Sequence, residues 1–583
     1  MRSSALGVTI VCLLAISECR GGFTVPISRS VILALAGEDK AAAELKTHLD
    51  LMSGLDVNVV SNEADVSQGA FVWEVGMSAS EGASPLAPEE CRWRISRSGA
   101  SFFGEGSKGA MFAVTSFLED ELGVRWPSGT NIVCQPRTEL VFSKDVLAGG
   151  WKPALKNREI RCSTREGCVW SNRMRMGRHD YPNYGHAFVL YWDRFSRSHP
   201  EYFAMRKDGK RFPVGKEAVG ENAQLFTGSA KHKIAMCVTA PGLVDQVIAD
   251  WCAKGTNAFV NVCENDASGK DVCYCESCRA LDEPPPADML PNWVTCYADR
   301  YVDFARRVLV RARSIRPDAR VCFYGYNPSE QPPRRERLDS GMLVGLVPVE
   351  FGWKQLTDYI AGWKKMGLAE FFYRPNRHWH YRMRNLPMGS EEYFFRVWRM
   401  ILKAGATGFD YDSPGPVGET EWFRDYVLAK AMQDTSRDFA HWENHYFLAY
   451  GPAAEDVKAY YRYWREAVWP KIEHDIPILT RKGGFNVARA LLRTLGDYYC
   501  DEDFHRAEGL VWHALARPGL EGPSKNLVER LAVAHKHAAL LFAAAKSKRR
   551  VDLEALRTFR LRYGFEMHPN EESGIVDIPR EEK

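Results

Sequence analysis

The sequence predicts an α/β protein built around a (β/α)8 TIM-type barrel, with a small α/β domain before it and a helical region after it. Three observations lead there. Between residues 149 and 435, short and nearly continuous apolar runs alternate with amphipathic helical patterns, as parallel strands covered by helices on both faces require. Residues 23–148 carry a shorter alternation of their own, and from 436 to 583 the strand signals stop. The length of the middle stretch suits an eight-stranded barrel, with a doubly wound open sheet as the alternative.

The elements follow in order. "SVILAL" reads as a strand; Ala42, Leu45, Leu49 and Met52 then recur at helical spacing, and "VNVV" reads as a second strand. After "CRWRI" and "ASFFGEG", Ala110, Val114, Phe117 and Leu118 stripe a second helix. Gly123 suits its C-terminal cap, and Pro127 blocks continuation. In the middle stretch, Val244, Val247, Ile248 and Trp251 share one helical face before the strand "AFVNV". Tyr301, Ala305, Val308, Ala312 and Ile315 stripe the helix before "RVCFYGY", and "MLVGLVPVEF" reads as the next strand. The helix "LTDYIAGWKKMG" precedes "LAEFFYRP", and "EYFFRVWRMILKAG" precedes "TGFDYD". Beyond residue 435, "AEDVKAYYRYWREAV", "KNLVERLAVAHKHAALLFAAAK" and "DLEALRTFRLRYGF" are all helical in pattern.

Composition narrows the function. At 45% hydrophobic and 12% aromatic, the chain can bury large cores. The net charge of +3 and the lack of a long basic run argue against a nucleic-acid partner. Seventeen Trp and 23 Tyr are compatible with stacking on sugar faces, although most such rings belong in cores. Residues 1–22 read as a secretory signal peptide: Arg2, then an apolar stretch from Ala5 to Ile16, then the small residues Ala15 and Ser17. That stretch is too short for a stable membrane anchor, and no later segment is apolar enough to be transmembrane. The expectation is a secreted or periplasmic protein, with lipoprotein anchoring at Cys19 the lesser alternative. In an oxidising compartment the thirteen cysteines beyond Cys12 and Cys19 would tend to form disulfides, and Cys162 with Cys168 could close a small loop.

Working residues of such barrels sit at the C-terminal ends of the strands. Five strand ends here are polar. "NREIRC" carries Glu159 and Arg161; "AFVNVCEND" carries Glu264, Asn265 and Asp266; "VPVEFGW" carries Glu350. "FYRPNRHWHY" carries Arg374, Asn376, His378 and His380, and "TGFDYDSPG" carries Asp410 and Asp412. A single carboxylate at such a place is most often a helix cap or a loop ion pair, which is the commonplace account of Glu159 or Asp410. Two carboxylates flanking an Asn suggest acid and base chemistry: one carboxyl kept protonated, and a neighbouring anion. Cys273, Cys275 and Cys278 follow as C-x-C-x-x-C, with Cys263 just upstream. Disulfides are the expectation in an exported chain and zinc is the alternative; either would brace the loop. His186, Trp192, His199 and Tyr202 give the segment from Tyr184 to Val214 the look of a sugar site or of an aromatic lid.

As a set, these residues resemble known families. "GAMFAVTSFLEDELGVRWP" resembles the domain that precedes the barrel in α-glucuronidases and β-hexosaminidases. "SHPEYFAMRKDGKR", "VCENDASGKDVCYCESC" and "LAYGPAAEDVKAYY" resemble the bacterial domain of unknown function numbered 4838, which overlaps glycoside hydrolase family 163. The resemblance implies endo-β-N-acetylglucosaminidase activity on glycans or glycoproteins, retaining and assisted by the substrate's own acetamido group. It implies Glu264 and Asp266 as the acidic pair, one the acid/base and one orienting the acetamide; Glu264 is chosen here as the acid/base, with Asp266 and Asn265 as the orienting residues. His186, Glu350, Arg374, Asp410 and Asp412 then become candidates for substrate contacts, and neither a cofactor nor a catalytic metal is called for. The rivals are an α-glucuronidase-like hydrolase that uses Arg161 and Arg374 for a uronate, an inert sugar-binding barrel, and a metal-dependent hydrolase using the cysteines.

Overall fold

The structure is a computed structural model. It describes residues 22–76, 85–162, 164–211, 233–267, 272–282, 297–348, 352–375, 385–412, 418–482 and 487–565. The chain forms two compact units: one reaches Val124 and resumes over Cys134–Lys152, and the other holds Arg125–Val133 and everything from Pro153 on.

The first unit contains β1 (Phe23–Pro26), β2 (Ser30–Ala34), α1 (Asp39–Ser53), β3 (Asn58–Val60), β4 (Phe71–Val75), β5 (Cys91–Ser96), β6 (Gly99–Gly104), α2 (Gly109–Asp120), β7 (Glu139–Phe142) and β8 (Val146–Trp151). Its main sheet runs β3-β2-β4-β6-β5-β8, while β1 and β7 form a separate antiparallel pair. Strands β2, β3, β4 and β6 are parallel, and β5 is antiparallel to both of its neighbours. The predicted stripe Ala42, Leu45, Leu49 and Met52 is the buried face of α1. Phe117 of α2 packs on Trp73, Trp93 and Phe102, with ring centroids 5.8, 5.3 and 5.3 Å away. The helix can begin beside β6 because Gly109 meets Gly104: a Cβ on Gly109 would lie 2.2 Å from the Gly104 carbonyl carbon. Gly123, at φ +72°, turns the chain after α2 as its cap signal predicts.

The second unit contains β9 (Asn157–Ile160), α3 (Arg165–Arg173), β10 (Gly177–Arg178), α4 (Tyr191–Phe195), α5 (Leu243–Ala253), β11 (Phe259–Asn261), α6 (Glu276–Arg279), α7 (Ala298–Arg313) and β12 (Arg320–Gly325). It continues through β13 (Met342–Leu346), α8 (Trp353–Lys365), β14 (Glu370–Tyr373), α9 (Glu391–Lys403) and β15 (Ala406–Tyr411). After β15 the named elements are helical, from Trp422–Gln433 to Arg550–Tyr563, as the loss of strand signals predicts.

The sheet of this unit runs β10-β9-β15-β14-β13-β12-β11, parallel throughout except for β10. Its first strand pairs with its last: Glu159 of β9 stands opposite Asp410 of β15. Such a pairing of the first and last parallel strands is compatible with a TIM-like fold. The ring of eight is nevertheless not complete among the described residues. Six parallel strands form a half-barrel sheet, and β10 and β11 are its edges. The aromatic segment from Tyr184 onward lies where further strands were expected. Instead of pairing as a strand, its apolar run from Ala187 to Trp192 leads into α4, with Ala187 N–H donating to the Cys263 carbonyl at 2.9 Å and Gly185 accepting from the Asn261 side chain at 2.9 Å. One side of the sheet is filled by a buried cluster of Tyr184, Cys263, Cys322, Tyr324, Leu343, Val347 and Phe372. Packing there is dense: Tyr184 stacks on Phe372 at 4.3 Å, and a Cβ on Gly345 would meet the Phe372 ring at 2.4 Å. Polar side chains on that side sit at the two ends of the strands: Arg320 pairs with Glu370 at the N-terminal ends of β12 and β14, and Glu159 and Asp410 lie toward the C-terminal ends of β9 and β15.

Candidate active site

Alternate residues of a strand face the same way, so Asn157, Glu159 and Arg161 line up beside Gly408, Asp410 and Asp412 on the paired strand. Asp410 is wholly buried. Arg161 grips it with two hydrogen bonds, Nε to Oδ1 at 2.8 Å and Nη2 to Oδ2 at 2.7 Å. The Tyr184 hydroxyl donates to Asp410 at 2.9 Å and accepts from the Asn157 amide at 2.8 Å. Arg374 adds a second cation, with its Nε 3.3 Å from Asp410 and its Nη2 donating to Asp412 at 2.9 Å. The Arg374 guanidinium stands over the Tyr324 ring and that of Arg178 over the Tyr184 ring, so two arginines lie directly on the apolar cluster.

Glu159 is the more open carboxyl of this group. Its side chain is 32% exposed, with Arg178 3.4 Å away. Burial, followed by the neighbouring Asp410, pushes its carboxyl above the ordinary glutamate range, against the pull of Arg178, Arg161 and Arg374. Sequence reasoning placed Glu159 among the strand ends but gave it the commonplace account; the signal that distinguishes it is the pairing of β9 with β15, which no local pattern contains.

The residues after β11 divide between two sides. Glu264 is nearly enclosed at 8% exposure. Its carboxyl accepts from the Asn265 N–H at 2.7 Å and the Met236 N–H at 3.3 Å, with the Tyr301 hydroxyl of α7 as a third donor. Burial raises it to about 8 in spite of those donors. Asn265 is buried, and its amide donates to the Ile234 carbonyl at 2.8 Å. Asp266 instead accepts from the Asn327 side chain, just beyond β12, at 3.1 Å. His186 donates from Nδ1 to the Glu264 carbonyl at 2.7 Å, and its ring lies near Tyr324 and Tyr326. Glu264 follows the C-terminal end of β11 and Asp410 is the next-to-last residue of β15, in the same parallel sheet. Glu350, Asn376, His378 and His380 lie outside the described residues. Along β11 and α5, a cleft of about 350 Å³ is lined by His186, Tyr191, Arg194, Asp250, Asn257 and Asn261, among others.

The cysteines correct an expectation. None of the described cysteines is in a disulfide. Cys263 does not join the C-x-C-x-x-C group, because it points into the apolar cluster of the sheet. The fourth member is Cys237: its sulfur and those of Cys273, Cys275 and Cys278 all lie within 4.8 Å of one another. No spacing pattern in the sequence singles out Cys237. Cys162 and Cys168 are neighbours, as their spacing suggests, with sulfurs 3.8 Å apart and unbonded.

No curated protein matches the sequence. Among solved structures, the chain is similar to the family 89 glycoside hydrolase of Clostridium perfringens, at 9% identity and a TM-score of 0.44, covering 92% of this chain and 64% of that one. It is similar to the N-acetyl-β-hexosaminidase of Streptomyces plicatus at 12% identity and a TM-score of 0.38, covering 76% and 92%. The family 20 exo-β-N-acetylglucosaminidase of Vibrio harveyi matches at 11% identity and a TM-score of 0.37, covering 73% of each chain. Residues 133–462, more than half of the 583, match the domain of unknown function DUF4838, and the chain belongs to that family.

Proposed function

We propose that the protein is a glycoside hydrolase working at the polar mouth formed by the C-terminal strand ends. One observation carries this reading: Glu159 and Asp410 stand side by side in different environments. Burial and a neighbouring anion push Glu159 toward its protonated form, while Asp410 is clasped by Arg161 and Arg374. A carboxyl kept protonated in this way can protonate the leaving oxygen of a glycosidic bond, with the buried Asp410 acting from behind by holding Glu159 in its acid form. Glu159 is assigned as the acid because part of its side chain is open. Asp266, oriented by Asn327, is assigned to the acetamido group of the substrate.

A second reading, with Glu264 as acid beside Asp266 and Asn265, is favoured by the carboxyl raised to about 8. Against it stand the donors from Met236, Asn265 and Tyr301, which turn that carboxyl toward the protein's own backbone and α7. A uronate-binding site is less well supported, because Arg161 and Arg374 are already spent on Asp410 and Asp412. An inert sugar-binding barrel would have no use for a carboxyl of raised pKa.

The family 163 resemblance supports an N-acetylglucosamine-containing glycan as substrate, and the leader-like residues 1–22 support export. The test is a screen against N-glycoproteins and aryl glycosides. Release of a glycan by the wild-type protein is expected, with Glu159→Gln slower by about 10²–10⁴-fold while remaining folded. No release from any member of the panel would oppose the reading.

A further inference from the structure

We propose that Cys237, Cys273, Cys275 and Cys278 bind one zinc ion as four thiolates, and that this ion braces the backbone on which Glu264 rests. The Cys237 sulfur lies 3.7 Å from that of Cys275 and 3.9 Å from that of Cys278, and all four lie within 4.8 Å. A tetrahedral zinc site with Zn–S bonds of about 2.3 Å has sulfur–sulfur edges of about 3.8 Å. Four soft sulfurs with no carboxylate or imidazole among them select a thiophilic ion in tetrahedral geometry. A disulfide would need two of the sulfurs at about 2.0 Å and would leave the other pair without a role.

The surroundings fit a bound cation–thiolate centre. Met205 N–H donates to the Cys273 sulfur at 3.2 Å, and the Thr239 hydroxyl lies 3.1 Å from the Cys278 sulfur. Arg211 bonds Cys237 through its side chain, and Arg300 donates to the Cys273 carbonyl at 2.9 Å while pairing with Asp282. Such outer contacts orient thiolates and offset the negative charge that four of them leave on a divalent ion.

The place of the cluster gives it a purpose. It joins the segment around Cys237 to the loop of Cys273–Cys278, neither of which belongs to a strand of the sheet. Among the described residues their backbone ties are few: Ala204 N–H to the Ala235 carbonyl at 3.0 Å and Cys237 N–H to the Tyr202 carbonyl at 2.8 Å, which together form the bridge Phe203↔Met236, and Tyr274 N–H to the Met205 carbonyl at 2.8 Å. An ion held by both segments supplies folding energy that the backbone there lacks. Met236, the residue before Cys237, supplies one of the two backbone N–H groups that donate to the Glu264 carboxyl.

The experiment uses the full chain, purified without chelator or added metal. Elemental analysis should give about one zinc per chain, and titration with a mercurial thiol reagent should release it as four thiols are consumed. Cobalt replacing the zinc should show the absorption of a tetrahedral thiolate complex. Cys237→Ser should bind zinc more weakly; should that variant not fold, the metal and thiol counts on the wild-type protein still decide. A folded, metal-free protein would overturn the proposal, whether its four cysteines were free or joined as disulfides on non-reducing peptide mapping.

Discussion

Glu264 shows how one buried group can tie stability to pH. Its carboxyl titrates at 4.5 when exposed and at about 8 in the fold, because burial disfavours its charge more than three donors favour it. Between those values the unfolded chain has given up a proton that the folded chain keeps. The stability that Glu264 contributes therefore falls as pH rises from 4.5 toward 8. Glu264→Gln, which cannot ionise, should flatten that part of the stability profile, as measured by urea unfolding at a series of pH values. An unchanged slope would mean that Glu264 is charged in the fold. Tyr184 makes a second residue-scale case. Its hydroxyl joins Asn157 to Asp410, so Tyr184→Phe should cost about 1–3 kcal/mol by leaving a buried amide short of a partner. Thermal unfolding would show the loss. In the sequence, Asp410 and Asp412 stand out because a polar pair interrupts a strand-like run. Cys237 does not, because "IAMCVTAPG" carries no metal-site spacing and its partners arrive through folding.

At the level of elements, periodicity was a sound guide wherever one face of a helix or a whole strand is buried. The α1 stripe, the strands around Ile32 and Val344, and the α7 face from Tyr301 to Ala312 fall where the apolar pattern puts them, whereas Ile315, the last residue of that predicted stripe, lies beyond α7 and is exposed. Between β10 and β11 the helix α5 is legible from its apolar stripe, but the described stretch from Tyr184 to Tyr202 was not legible in this way. Its backbone is held by single bonds to Cys263, Asn261 and Cys237, which leave no repeating signature in the chain. Close approaches between elements were equally invisible, and Gly109 tests one. Alanine would favour a helix by about 1 kcal/mol, yet here its Cβ would sit 2.2 Å from the backbone of Gly104, where no side chain can yield. Gly109→Ala should therefore destabilise the first unit by about 1–3 kcal/mol. A stabilised variant in chemical denaturation would show that β6 and α2 can separate freely.

For the whole molecule, the pairing of the first parallel strand with the last decides which carboxyls become neighbours. Residues 159 and 410 are far apart in sequence and adjacent in the sheet, and this adjacency gives the mouth one raised carboxyl beside one clasped by arginines. The same strand ends carry Arg374, Asp412 and Asp266 toward that end of the sheet. If Glu159 is the proton donor, hydrolysis should slow as pH rises through its raised value, since only the protonated form can give a proton to the leaving oxygen. The most direct test compares N-acetylglucosaminides carrying a sugar leaving group with those carrying a nitrophenyl group. The account predicts that Glu159→Gln loses about 10²–10⁴-fold on the sugar leaving group, far less on nitrophenyl, and that Glu264→Gln keeps most activity on both. Near-wild-type cleavage of the sugar-linked substrate by Glu159→Gln would contradict it.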